Sequence, residues 1–208
     1  MLNVGKCAVM QCSFSKSCPP VPTVRADGQV VPIVSSLTLL GVTLMPTLKW
    51  DLHIDSLVSK ANSRRYFLAV LRRAGVALED LVLFYTTYIR PVLEYASPAW
   101  HPGLSTKLSD KLESAQRLCL RSILPHQSYR EALVSTGLAL LSARREEICL
   151  TFARSSYRSF RDWFPESRHL SGYDLRHPRI LISEPQRTSC FRKSPIIFMT
   201  SLLNVHGT

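Results

Sequence analysis

Apolar residues recur at helical spacing through most of the chain after Asp51, whereas the first fifty residues run in short apolar stretches broken by Gly and Pro. Before Asp51 the pattern predicts β structure. Ala8 to Phe14 reads as a strand, Asp27-Gly28 is a hairpin signal between Val24 and Val30, and Leu37 to Leu44 reads as one further short strand. Gly41 inside that last run lacks a Cβ and would let a backbone or ligand approach closely.

From Asp51 the period changes. Ile54, Leu57, Val58 and Ala61 form one stripe of a helix that Asp51 would cap and that Arg72, Arg73 and Gly75 would end. The stripe then rotates toward Phe67 and Leu71, which sets Arg65 and Arg72 on the shoulder between core and solvent. A second helix runs from Leu78 to Ala96, and Pro91 within it removes one backbone donor, so a kink is expected near Thr87. Trp100 closes the segment as a core anchor. A third helix starts near Ser105, carries Leu108, Leu112, Ala115, Cys119 and Ile123 on its apolar face, and ends before Pro125. Glu113 and Arg117 fall four apart on its solvated face.

Ser128 and Glu131 form a capping box, and Gly137 ends the short helix it opens. The next helix spans Ser142 to Phe164 and stops at Pro165, with Ile148, Phe152, Ser156, Phe160 and Trp163 as its apolar side. Arg154, Arg158 and Arg161 recur on the opposite side, where the nearby acid is Glu147. The expected fold class is therefore α+β: a small β region over 1–49, a mainly helical region over 50–125, further helices over 126–165, and an irregular tail over 166–208.

Charge adds a partner class to this outline. The net charge is +11, with 19 Arg against 7 Lys, and the planar guanidinium fork grips phosphate bidentately. The excess is spread along the chain, +3, +3 and +5 over 1–49, 50–125 and 126–208, so no disordered basic arm is indicated. The Arg154, Arg158, Arg161 stripe is the most localised footprint for nucleic acid. Gly28 to Leu48 is uncharged, but Pro32, Gly41 and Pro46 interrupt it and its β-branched residues suit strands, so no membrane partner is expected. The N-terminus has no apolar signal-peptide core, and the six cysteines include no Cys-x-x-Cys pair, which points to an intracellular protein, cytoplasmic and/or nuclear, with reduced thiols.

Several short boxes carry a resemblance. LLGVTL (Leu39 to Leu44), LKWDLHI (Leu48 to Ile54) and YIRPVLEYASPAW (Tyr88 to Trp100), with LNVGKC (Leu2 to Cys7), LESAQRLCLRSILP (Leu112 to Pro125) and LLSARREEIC (Leu140 to Cys149), together resemble the palm-to-thumb region of reverse transcriptases from jockey-like non-LTR (LINE-type) retrotransposons. That resemblance implies a palm remnant with a primer-grip-like strand, a thumb and post-thumb helices. It places Lys6 near a nucleotide, Gly41 and its strand at a primer end, and the helices along an RNA or DNA template-primer.

The parent activity would be RNA-directed DNA polymerisation with magnesium, which needs clustered carboxylates holding two metals about 3.5–4 Å apart. Every aspartate here is isolated from another aspartate, so the chain is expected to be a truncated element, not an enzyme by itself, with no catalytic residue, metal or cofactor of its own. Its nucleic-acid-binding candidates are Lys6, Gly41, Arg65, Arg72, Arg154, Arg158 and Arg161. The alternative is a non-catalytic helical interaction or scaffold fragment with no nucleic-acid role.

Overall fold

In a computed structural model the chain is described over residues 3–13, 20–164, 181 and 189–206. The chain divides into two units, Met1–Ser56 and Leu57–Thr208, and the division falls in the sequence of the first long helix. The described architecture is α+β in the coarse sense, with two small antiparallel sheets followed by helices.

In the first unit, β1 (Arg25–Ala26) pairs with β2 (Gln29–Val30), and β3 (Leu37–Leu39) pairs with β4 (Val42–Leu44). The first hairpin turns at Asp27-Gly28 as expected, both residues having positive φ (47° and 77°), the requirement of a tight two-residue hairpin turn. The second differs from the single strand read in the sequence, because the chain reverses at Leu40-Gly41 with φ of 47° and 80°. A leucine in the left-handed region costs roughly 1–2 kcal/mol, so residue type alone gave no reason to place a turn there. Ala8 to Phe14 is likewise no regular strand among its described residues. Val9 makes a single parallel bridge to Ile33, held by Val9 N–H to Pro32 C=O and Val34 N–H to Val9 C=O, each 2.9 Å. Val31, Trp50, His53 and Ile54 are the buried positions among the described residues of this unit, and His53 Nδ1 accepts from the Thr43 N–H at 3.3 Å.

Helix α1 (Asp51–Arg73) begins at Asp51 itself, which lies in the first turn facing the helix dipole instead of serving as the cap. The second unit contains α2 (Leu78–Phe84), α3 (Arg90–Glu94), α4 (Ser97–Trp100), α5 (Thr106–Ile123), α6 (Tyr129–Thr136), α7 (Leu141–Ser159), α8 (Ser189–Arg192) and α9 (Pro195–His206). In it Leu57, Ala61 and Leu68 are the buried positions of α1, while Phe67 is 50% exposed. The apolar stripe therefore runs straight and does not rotate.

Pro91 shows its effect just upstream of itself. Tyr85–Ile89 forms a π-helical segment between α2 and α3, closed by the Arg90 N–H to Tyr85 C=O bond, so the expected kink takes the form of a wider turn. Ala96 then adopts a left-handed conformation (φ 53°) and starts α4, whose Trp100 is wholly buried and donates its indole N–H to Tyr95 C=O at 2.8 Å. Ser105 caps α5, and the Ser128–Glu131 capping box and Gly137 delimit α6 as the sequence indicates.

Helix α5 packs against α2, α6 and α7, and α7 packs against α4 and α9. The tail read as irregular over 166–208 lies partly outside the described residues. Where described again it is helical, because Ile197, Met199, Thr200 and Leu203 of α9 are buried. Leu181 is tied to α9 by two bonds to the Asn204 amide, 3.0 and 3.2 Å, and packs with Ala153, Phe164, Met199 and Leu203.

Candidate nucleic-acid interface

Helix α7 displays the most coherent basic surface, and its buried side explains which residues are left outside. Leu141, Arg145, Cys149, Ala153 and Ser156 are buried, so Phe152 is 46% exposed and the apolar side expected from Ile148 and Phe152 is offset from the true core side. The helix lacks a cap of its own at Leu140. Glu113 of α5 supplies one: its carboxylate accepts from the Leu141 and Ser142 N–H groups at 3.3 Å each and from the Tyr129 hydroxyl. An anion at a helix N-terminus satisfies orphan donors and meets the positive end of the dipole. Glu113 is thus a structural acid, not half of a solvated pair with Arg117, whose guanidinium stacks over the Tyr129 ring with Cζ 5.1 Å from its centroid.

Arg154, Arg158 and Arg161 are all exposed at the C-terminal end of α7 and in the 3-10 turn Arg161–Trp163 that follows. Arg154 donates to the His206 C=O at 3.1 Å, near the C-terminal end of α9, and Arg161 lies over Tyr157 with Cζ 5.6 Å from the ring centroid. Asp162 is the acid within the same turn. Phe160 and Trp163 stack nearly parallel, centroids 4.7 Å apart at 15°, and are 52% and 46% exposed. The sequence reading placed this pair in the core. Helix α7 ends at Ser159, so Phe160 and Trp163 leave the helical phase that buries Ala153 and Ser156.

The other candidates sit elsewhere. Lys6 is exposed in the 3-10 turn Val4–Lys6, and Gly41 is at a hairpin tip where its positive φ explains it; both belong to the first unit. Arg72 is exposed in the last turn of α1. Arg65 is half-buried, with Nη1 3.5 Å from Ser122 Oγ of α5, so it serves packing more than the surface. Its neighbour Arg64 donates to Tyr88 C=O at 2.5 Å and lies 4.3 Å over the Tyr88 ring.

Arg145 is a basic residue that composition counts toward the surface but the fold places inside, fully buried. It bonds His101 Nδ1 (3.3 Å) and Ser109 Oγ (2.8 Å), while Nη1 has no hydrogen-bond partner among the described residues. Burial lowers its pKa from the ordinary guanidinium value, against the opposing pull of Glu113 and Glu94. Burial, and then Arg145, lower His101 to about 4.

This pair predicts a pH dependence. His101 must be neutral to accept from Arg145, so its folded pKa lies below the ordinary value of about 6.5, and between those two pH values the unfolded chain binds more protons. Stability is then complete above about pH 6.5 and falls as pH drops toward 4, by at most about 3 kcal/mol and by less once solvent screening of the partly exposed ring is counted. His101→Asn keeps an acceptor without a titrating ring. Urea midpoints of wild type and variant should diverge between pH 7 and 4.5, and parallel curves would refute the coupling.

Also in the second unit is a cavity of about 1030 Å³, whose lining includes Ile148, Phe152, Trp163, Phe191, Ile196 and Ile197. Cys119 and Cys149 are buried thiols, each pushed up to about 12 by burial, which disfavours the thiolate form. Among the described residues no group of three or more His, Cys, Asp or Glu is placed to hold a metal, and no helix is long and apolar enough to cross a membrane.

A family model described as alkylated DNA repair protein alkB homolog 8, N-terminal, matches residues 50–90, about a fifth of the chain. No curated protein and no solved structure matches the chain. The family match corrects the resemblance drawn from the sequence. It falls on the stretch assigned to a reverse-transcriptase thumb and relates it to a different family, so reverse transcriptase, RNA-directed DNA polymerase and retrotransposon are set aside as descriptions of this chain. The structure gives the physical reason. LLGVTL forms a tight hairpin, and YIRPVLEYASPAW supplies Ile89, Leu93 and Trp100 to a core. Such boxes record a way of turning and packing, and packing residues are shared between proteins of unrelated chemistry. Two separate hairpins and a set of helices likewise do not show a palm or a thumb. The segment 50–90, covering α1 through the π-helical segment, is similar to part of that family's N-terminal region.

Proposed function

We propose that the second unit binds RNA or DNA through the arginine surface at the C-terminal end of α7, as a binding module without turnover of its own. The observation that carries this reading is the exposure of Arg154, Arg158 and Arg161 within eight consecutive residues, in a chain of net charge +11. Guanidinium groups on a surface neutralise phosphates and release counterions, which gives affinity with little sequence preference. The family matched over 50–90 is described as a DNA repair protein, which is compatible with a nucleic-acid partner but names no residue of this surface. Such a partner would place the protein in the cytoplasm or nucleus.

The test is binding of a labelled duplex and a labelled single strand across a salt series. Replacing Arg154, Arg158 and Arg161 together by Gln should flatten log affinity against log salt by about 2–3 for duplex, at about 0.9 per lost phosphate contact. Arg72→Gln should change the slope by less than about 1, and Arg65→Gln should alter stability more than binding. An unchanged slope in the triple variant, with circular dichroism intact, would overturn the reading.

A further inference from the structure

We infer that the surface at the end of α7 is built for unpaired bases, with Phe160 and Trp163 as a stacking platform beside the arginines. The inference rests on the nucleic-acid reading above and names the form of nucleic acid it takes. Of the three tryptophans, Trp50 and Trp100 are 8% and 0% exposed, while Trp163 is 46% exposed. A pair formed only to close a helix end would gain most by turning its rings inward, as neighbouring Phe164 does at 1% exposure. Phe160 and Trp163 instead stack on each other at 15° and stay open to water. Parallel rings cover one face each, and about half of each residue's surface stays exposed to a further flat group.

Arg161 lies between the two aromatics in sequence, and Arg158 lies one turn back. Aromatic rings interleaved with phosphate-binding cations are what a sequence-tolerant single-strand site needs, since every base has a π-face and every nucleotide a phosphate. In a duplex the base faces are already covered by their neighbours, so only an unpaired strand can use the rings.

The experiment uses the full chain with an oligothymidylate and a mixed-sequence duplex of equal phosphate number. Binding of the single strand should quench Trp163 emission, with buried Trp50 and Trp100 as the unquenched background. Phe160→Leu with Trp163→Leu should weaken the single strand by about tenfold, leave duplex affinity and the salt slope unchanged, and Trp163→Phe should restore most of the loss. Equal loss for both nucleic acids, no loss for either, or failure of Trp163→Phe to restore binding would overturn the platform. If the triple arginine variant still flattens the salt slope in that case, the electrostatic reading stands alone. Absence of binding to both probes by the wild-type chain would sink the two together.

Discussion

Replacing Trp100 by Ala should remove about 3–5 kcal/mol from the second unit, which is a large part of the roughly 5–15 kcal/mol typical of a folded domain. The indole is wholly buried and its N–H reaches back to Tyr95 C=O, across the left-handed residue Ala96 that separates α3 from α4. Truncation therefore empties a cavity and releases a turn at once. Urea unfolding should show a lower midpoint with an unchanged slope, and Trp100→Phe should fall between. A loss below about 1.5 kcal/mol would mean that the site collapses onto the gap, contrary to the usual partial relaxation of packed cores.

Gln116→Leu should cost about 2–4 kcal/mol for a different reason. Gln116 is 1% exposed and fully engaged: Oε1 accepts from the Tyr85 hydroxyl at 2.6 Å, and Nε2 donates to Tyr129 Oη and Ala139 C=O, both at 2.9 Å. An apolar side chain of similar size keeps the packing but leaves the buried Tyr85 hydroxyl and the Ala139 carbonyl unpaired. Adding Tyr85→Phe removes one of those orphans, so the double variant should be less destabilised than the sum of the singles. Strict additivity in a double-mutant cycle would show that the Tyr85–Gln116 bond is not a coupled contact.

Legibility followed the range of the interactions. Local signals were readable: the Asp27-Gly28 hairpin, the helix start near Ser105, the Ser128–Glu131 box, the Gly137 stop and the disturbance ahead of Pro91 each depend on a few consecutive residues. What depends on distant partners was not. The start of α7 is set by Glu113, 28 positions before Leu141, so no cap appears next to the helix. Arg145 reads as surface charge until His101 and Ser109 are known to surround it. Periodicity also favoured the large residues Ile148 and Phe152 over Ala153, yet a small side chain allows the closer approach, and Ala153 is fully buried. Of the candidate site, the three arginines were visible as a stripe. The aromatic pair beside them was assigned to the wrong side, because the helix ends before it.

The π-helical segment before Pro91 fixes how this region can change in length. A residue every four positions drifts by about 40° around a regular α-helix, so Leu81, Tyr85, Ile89 and Leu93 would spiral away from a common partner. All four are buried, and the wider turn over Tyr85–Ile89 takes up the drift with one surplus residue. Deleting a single residue there would regularise the hydrogen bonds yet swing Leu93 and everything after it by about 100°. Between Leu81 and Trp100, then, side chains can be exchanged over evolutionary time more easily than residues can be gained or lost. Related sequences should preserve the spacing even where they do not preserve the letters.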